Sequence, residues 1–536
     1  MAVGRSFAAA ITGAVVMLVP ALAADHSASA TGWGARRQLA SWGYLVPHPA
    51  AYARAKATLA ARWGGRGAAS AFPARAAPSA TKTWTGLHDP RTTPPDPTGA
   101  VGPKRYVQLV NSRFAIFRRD GRRLSSGDIG VLTGLGRNFP YLTDPQVIWD
   151  PATRRFYYVV LDFDIAYRNT SDGIDFAFGF SKTGSPSTPR DWCKYALSFG
   201  YDRPSRNRYR VVDQPHLGDT RGFLLWGGNV FDVSTFVPRY RGSDVDWVRK
   251  PKAGKACPRG KSLRLGAQHK LRTASGRLAF TPVVAAQADP SRTGWVVATP
   301  NLPTARSSAR ALSLFRITTS RSGDAVIGAR GRSVRVPSYA MPPPAPQAGS
   351  RYRLDTLDAR LLQAVAAVDP SKHRVAVWTQ HTVRGGAGSI VRWYEIDPEH
   401  RGLFQRGSVS DPALYAFNGA VSSDRVVRPG VRRFGGSMVL GFDTSSQDRD
   451  VAVQMVSKVG SRPQSSFVRV KRSFGPDVDV SCRRDPACRW GDFAGASPDP
   501  AAPVNGSHGS VWLTNMWNVP NKPGMDWRTI VWKARP

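Results

Sequence analysis

Asp144-Pro-Gln-Val-Ile-Trp149 runs into Asp150-Pro151, and the chain then resumes as Phe156-Tyr-Tyr-Val-Val160. An apolar stretch opened by a polar residue, an Asp-Pro turn and a second stretch of β-branched and aromatic residues together read as a β-hairpin. The same unit recurs six more times. Asp96-Pro-Thr-Gly-Ala-Val101 turns at Gly102-Pro103 before Tyr106, and Asp213-Gln-Pro-His-Leu-Gly218 turns at Asp219 before Phe223. Thr281-Pro-Val-Val284 leads through Asp289-Pro290 to Trp295, and Asp358-Ala-Arg-Leu-Leu-Gln363 through Asp369-Pro370 to Val375. Asn418-Gly-Ala-Val421 leads past Asp424 to Met438, and Asp492-Phe-Ala-Gly-Ala496 through Asp499-Pro500 to Val511.

Amphipathic helical periods are almost absent around these hairpins, so the chain is all-β. Small sheets of this kind gain stability by stacking radially, which covers both faces and shields the edges. The uneven spacing fits insertions between outer strands. The expected fold is a seven-bladed β-propeller over residues 83–536, with a mostly flexible N-terminal extension. A strand from either terminus, such as Trp527–Trp532, can complete a blade and lock the ring.

The N-terminus sets the compartment. Arg5 precedes an apolar run from Phe7 to Leu22 that ends in Ala21-Leu-Ala23, the pattern of a secretory signal peptide over residues 1–23. Residues 24–82 read as an Ala/Arg/Pro-rich extension and linker, with one helix expected from Ala50 to Trp63 after Pro49. No later run is long and apolar enough for a transmembrane segment in the mature chain. Four cysteines suit an oxidising destination. Cys482 and Cys488 are placed to close a small loop, leaving Cys193 and Cys257 for each other. Without a C-x2-C pair or a His at ligand spacing, zinc is not expected.

The formal charge is +38, from 75 Lys and Arg against 37 Asp and Glu. Outside the cell such a charge favours encounter with polyanions: teichoic acids, acidic polysaccharides or anionic headgroups. It is also what an Arg-rich composition gives with no purpose attached. Export and the lack of a helix-turn-helix argue against a specific nucleic-acid partner.

Aligning the seven units places Asp96, Asp144, Asp213, Thr281, Asp355 or Asp358, Asn418 and Asp492 at equivalent ends of the innermost strands, around one mouth of a central channel. Clustered carboxylates raise one another's pKa unless cations intervene. The set admits a hard cation such as Ca2+, or catalysis by Asp144, Asp213 and Asp492. Asp96, Asp355, Asp358, Asn418 and His216 would then contact ligand. The plainer alternative is that each caps backbone N–H groups where a strand begins, or ties blades together. His381 is a further acid–base candidate. Asp162, Asp164, Asp172 and Asp175 cluster without EF-hand spacing. No H-E-x-x-H, G-x-S-x-G, P-loop or dinucleotide fingerprint occurs in its proper context.

Several stretches together resemble a group of secreted bacterial propeller-like proteins. They include Asp96-Pro-Thr-Gly-Ala-Val-Gly-Pro103, Asp144-Pro-Gln-Val-Ile-Trp-Asp150, Pro215-His-Leu-Gly218, Leu354-Asp-Thr-Leu-Asp-Ala-Arg-Leu361 and Arg489-Trp-Gly-Asp-Phe-Ala-Gly-Ala-Ser497. The resemblance spans roughly 84–536 and implies export and a propeller; it supplies no catalytic residues. Ser497-x-Asp499 followed by Trp512 looks distantly like the Asp-box hairpins of sialidases, departing from them by a long insertion. The functional expectation is a secreted binding or interaction propeller at the cell surface or wall, for polyanionic glycans. Its rival is a glycan-active hydrolase or lyase working through the mouth carboxylates.

Overall fold

The computed structural model describes residues 45–63, 77–137, 141–163, 173–201, 210–235, 237–251, 257–483, 487–521 and 524–536. The signal-peptide run, Asp164 and Asp172 lie outside them.

Seven antiparallel sheets follow one another along the chain and form the blades of a β-propeller. Their innermost strands are Thr98–Val101, Leu142–Asp150, Arg210–Asp219, Ala279–Val284, Leu361–Asp369, Tyr415–Ser423 and Gly495–Pro498. We number the blades 1 to 7 in that order. Each inner strand pairs with the strand that follows its turn, so all seven sequence hairpins are the inner hairpins of blades.

Alternation along a strand explains why these runs look continuously apolar. In Arg155–Asp162, Phe156, Tyr158 and Val160 pack toward blade 1, while Tyr157, Val159 and Leu161 pack toward blade 3. Successive side chains point to opposite faces, and a blade buried on both faces needs apolar residues at every position. Seven such cores lie between neighbouring blades.

The last core needs both ends of the chain. The outermost strand of blade 7 is Ser79–Thr85, paired antiparallel with the C-terminal strand Gly524–Arg535. Trp84 sits 5.3 Å from Trp512 and 5.9 Å from Tyr106, bridging blades 7 and 1. The propeller therefore begins at Ser79, inside what the sequence presented as linker.

The turn aspartates join blades at the opposite face. Asp219 Oδ1 accepts the Gln287 N–H at 2.7 Å, Asp289 Oδ2 that of Val368 at 2.9 Å, and Asp424 Oδ2 that of Gly509 at 3.0 Å. Lys250 lies between Asp150 and Asp219, at 2.9 and 2.6 Å. Asp499 accepts from Trp512 Nε1 at 3.0 Å and pairs with Arg119 of blade 1 at 2.6 Å. Both expected disulfides, Cys193–Cys257 and Cys482–Cys488, are formed. Among the described residues no helix is long and apolar enough to cross a membrane.

Candidate functional site

Four inner strands begin with the same irregularity. Asp144-Pro145, Gln214-Pro215, Thr281-Pro282 and Asn418-Gly419 each set two residues against one on the neighbouring strand, forming a β-bulge. The first residue of each pair is left-handed, with φ of 50°, 54°, 47° and 49°. Asp and Asn tolerate that conformation, whereas a β-branched Thr is strained in it. Asp96, before Pro97, shares it with φ 49°. In blade 3 the position belongs to Gln214, so the sequence alignment on Asp213 is shifted by one residue. Blade 5 departs from the pattern: left-handed backbone falls on Leu357 and Ala359, beside Asp355 and Asp358.

The structure brings the predicted carboxylates together. Asp144 lies in the field of Asp213, Asp96 and Asp492. Burial is the largest cause raising its pKa, and those three charges add to it. Asp96 and Asp492 are raised chiefly by burial too, and Asp213 is pushed up to about 7. The Leu45 N–H and the Arg360 and Arg489 guanidiniums oppose the rise at Asp213.

Sequence reasoning missed the residues that hold these groups. Asn111 donates to Asp96 Oδ2 at 2.7 Å and accepts the Asp144 N–H at 2.9 Å. Asn229 accepts the Thr281 N–H at 2.8 Å, the same link from blade 3 to blade 4. Asp96 Oδ1 accepts the Asp492 N–H at 2.6 Å, and Asn418 Nδ2 donates to Asn515 Oδ1 at 3.0 Å. Arg489 pairs with Asp492, while Arg360 forks onto Asp358 and also donates to Gln214. Asn111 directly follows the second strand of blade 1, whereas Asn229 and Asn515 lie within the second strands of blades 3 and 7. That placement was the only sequence signal available.

The N-terminal segment closes this mouth. The Leu45 N–H donates to Asp213 Oδ2 at 2.6 Å. Helix α1, Pro49–Arg62, follows, one residue offset from the sequence expectation at either end. Tyr52 donates to both oxygens of Asp355 at 2.8 Å. Lys56 is 1% exposed and reaches Leu357 O at 2.6 Å and Asp355 at 3.2 Å. Beyond the helix, Trp63 O accepts the Tyr415 hydroxyl at 2.7 Å, in blade 6. Residues 45–63 of the expected extension are thus packed on the propeller, against Asp213 of blade 3, Asp355 and Tyr415 of blade 6.

Below the carboxylates, His216 of blade 3 meets Phe493 of blade 7 at 5.2 Å between ring centres. Burial and then Arg360 push the His216 imidazole down to about 3, so it is neutral at physiological pH. The channel beneath leaves a water-accessible volume of about 70 Å³. His381 bonds Ala359 O at 2.9 Å and the Tyr394 hydroxyl at 3.0 Å, as a satisfied core residue. Among the described residues no three His, Cys, Asp or Glu side chains gather in a metal-holding group. Asp96 and Asp213 accept from amide N–H groups and Asp492 pairs with the Arg489 guanidinium, while Asp144 Oδ1 accepts the Thr143 hydroxyl at 3.1 Å.

An open concavity lies beside this closed mouth, on the same face. Two adjoining hollows with about 740 and 730 Å³ of water-accessible volume share Tyr240, Arg241 and Leu278. They run from the start of α1 across the loops of blades 3 and 4. Arg54, Arg210, Arg239, Arg241, Lys270 and Arg277 line the groove, with Asp232 and Asp244 as its acids. Asp232 is taken by Arg241 at 2.6 Å. The other five cations form no ion pair among the described residues.

No family model matches the chain, and no curated protein matches its sequence. Solved structures match the chain only weakly. A polysaccharide lyase shares 8% identity, with 83% of this chain and 90% of that one covered at a TM-score of 0.37. A subtype N11 neuraminidase-like protein of A/flat-faced bat/Peru shares 8%, covering 85% and 97% at 0.29. An endo-arabinase from Bacteroides thetaiotaomicron shares 8%, covering 59% and 92% at 0.26.

Proposed function

We propose that this is an exported, non-catalytic binding propeller that holds polyanionic glycans of the cell surface or wall in the cationic groove beside α1. The observation that carries the reading is the gathering of Arg54, Arg210, Arg239, Lys270 and Arg277, which have no carboxylate partner among the described residues, around one open groove. Unpaired like charges facing a shared concavity raise its potential and concentrate anions there, and salt screens the effect. The signal-type N-terminus and two disulfides support export.

The mouth carboxylates serve this reading as structure. They are buried, bonded across blades and covered by residues 45–63, and they hold the ring on which the groove is built. The test is a titration of the mature protein with polygalacturonate across a NaCl series, alongside the double variant Arg239→Glu/Arg277→Glu. Affinity should fall steeply with salt, and by about tenfold or more in the variant, as expected for lost electrostatic attraction. Equal binding by wild type and variant overturns the proposal.

A further inference from the structure

One wall of the groove carries a chain of proton-bearing groups outside the mouth network. His269 Nδ1 lies 2.7 Å from Asp244 Oδ2. The Tyr201 hydroxyl lies 2.9 Å from both Asp244 Oδ2 and Asp246 Oδ1. A phenol has one proton to give, so one of those two contacts needs a carboxyl proton. Asp244 already accepts the Lys270 N–H at 2.7 Å and faces the imidazole, so its oxygens serve as acceptors. Asp246 is fully buried, and burial followed by the charge of Asp244 pushes its pKa well up, so it keeps the proton. The sequence Asp246, Tyr201, Asp244, His269 therefore runs from the core to the groove. At its outer end the His269 side chain is 57% exposed.

Resting on the binding reading above, we infer that His269 is the anion-contacting residue of the groove, acting as an imidazolium whose Nε2–H meets a carboxylate or phosphate of the ligand. Asp244 fixes the ring through Nδ1, which leaves Nε2 as the nitrogen available to a ligand. Arg210 and Lys270 both act on His269 and line the same hollow, so an anion there meets three cations at once.

The charged groups around the imidazole settle the direction of the pH response. Asp244 favours the protonated ring and is the largest influence; burial, Arg210 and Lys270 oppose it, and the net pKa is raised. Asp246 is neutral, Asp232 is paired with Arg241, and Asp175 is occupied by the Gly200 N–H at 3.0 Å. A ligand anion adds a second negative neighbour, so binding takes up a proton and weakens as pH rises through the imidazole range.

The experiment measures affinity of the full mature chain at low salt, at about pH 5.5 and about pH 8, in the range where His titrates. Polygalacturonate is the carboxylate probe and long-chain polyphosphate the phosphate probe, both ionised throughout. Wild type should bind at least about tenfold more weakly at the higher pH. His269→Gln should be weak at both values, and His269→Lys tight at both. If His269→Gln keeps the wild-type pH dependence, or wild type binds with none, the role of His269 is overturned while the groove stands. If no protein binds either probe, the binding reading itself fails. Preference for one probe tells whether carboxylate or phosphate is the natural group.

Discussion

The side-chain oxygen of Asn111 accepts the backbone N–H of Asp144 at 2.9 Å, while its amide donates to Asp96 at 2.7 Å. One side chain at the end of a blade 1 strand thus fixes the start of two inner strands. Asn229 repeats the link toward Thr281. Replacing Asn111 by Ala leaves a buried N–H and a buried carboxyl without their partner, each costing about 1–3 kcal/mol. Denaturant unfolding of Asn111→Ala should show a loss of roughly 2–4 kcal/mol, with a similar but smaller loss for Asn229→Ala. A loss below about 0.5 kcal/mol at both sites would show that these bonds do not hold the ring.

Stability should carry the signature of the buried acids. Asp213 is pushed up to about 7 in the fold, against an ordinary value near 4 when unfolded. Between those values the folded protein binds more protons than the unfolded one, so this group stabilises below about pH 4 and its contribution is lost as pH rises through 7. Asp144, Asp96 and Asp492 act in the same direction. His216, neutral and pushed down to about 3, acts in the opposite direction between pH 3 and 6.5. Above pH 6.5 His216 no longer opposes them, and His269, whose pKa is raised, acts in the same direction as the acids. Thermal melts should show Tm falling from about pH 6.5 to 8, and falling less in Asp213→Asn. The same slope in both proteins would remove Asp213 from this role.

Lys56 ties α1 to the face. Its ammonium is buried against Asp355, Pro342 O and Leu357 O. Burial is the largest influence and lowers its pKa, and Asp355 opposes the fall. Removing one partner of a buried pair is destabilising by roughly 3–5 kcal/mol, because the other charge is stranded. In Lys56→Ala the helix should detach before the ring unfolds, exposing residues 45–63 to protease. Protease resistance equal to wild type would mean that the helix docks without this ion pair.

The architecture was legible because a blade is buried on both faces. Phe156-Tyr-Tyr-Val-Val160 can only be a strand with two apolar neighbours, and the Asp-Pro turn that precedes it marks where the inner strand ends. The mouth was legible only in part. Asp96, Asp144 and Asn418 were placed correctly because a left-handed residue before Pro or Gly favours Asp or Asn. Thr281 was aligned to the same bulge by its place before Pro282, but in blade 3 the position is Gln214, and Asp213 beside it looked like the better match. The inter-blade asparagines were not picked out: Asn111 reads as an ordinary turn residue, and Asn229 and Asn515 are polar residues inside largely apolar strands.

The groove could not be read from the chain at all. Its cations come from α1, the start of blade 3 and loops of blades 3 and 4, far apart in sequence and indistinguishable there from the other Lys and Arg residues. The docking of the N-terminal segment was equally hidden: a helix was expected at Ala50–Trp63, but its little apolar patterning gave no sign that it packs on the ring. Lys56, Tyr52, the Leu45 N–H and the Trp63 carbonyl hold it down, with Val46, Ala55 and Leu59 packed beneath.

Hydrogen exchange of the mature protein with and without polygalacturonate tests the central claim most directly. The account predicts added protection at the start of α1, at 237–241 and at 269–278, with little change on the opposite face of the ring. Protection centred on the Asp150–Lys250–Asp219 face, or none under conditions where binding is saturated, would contradict it.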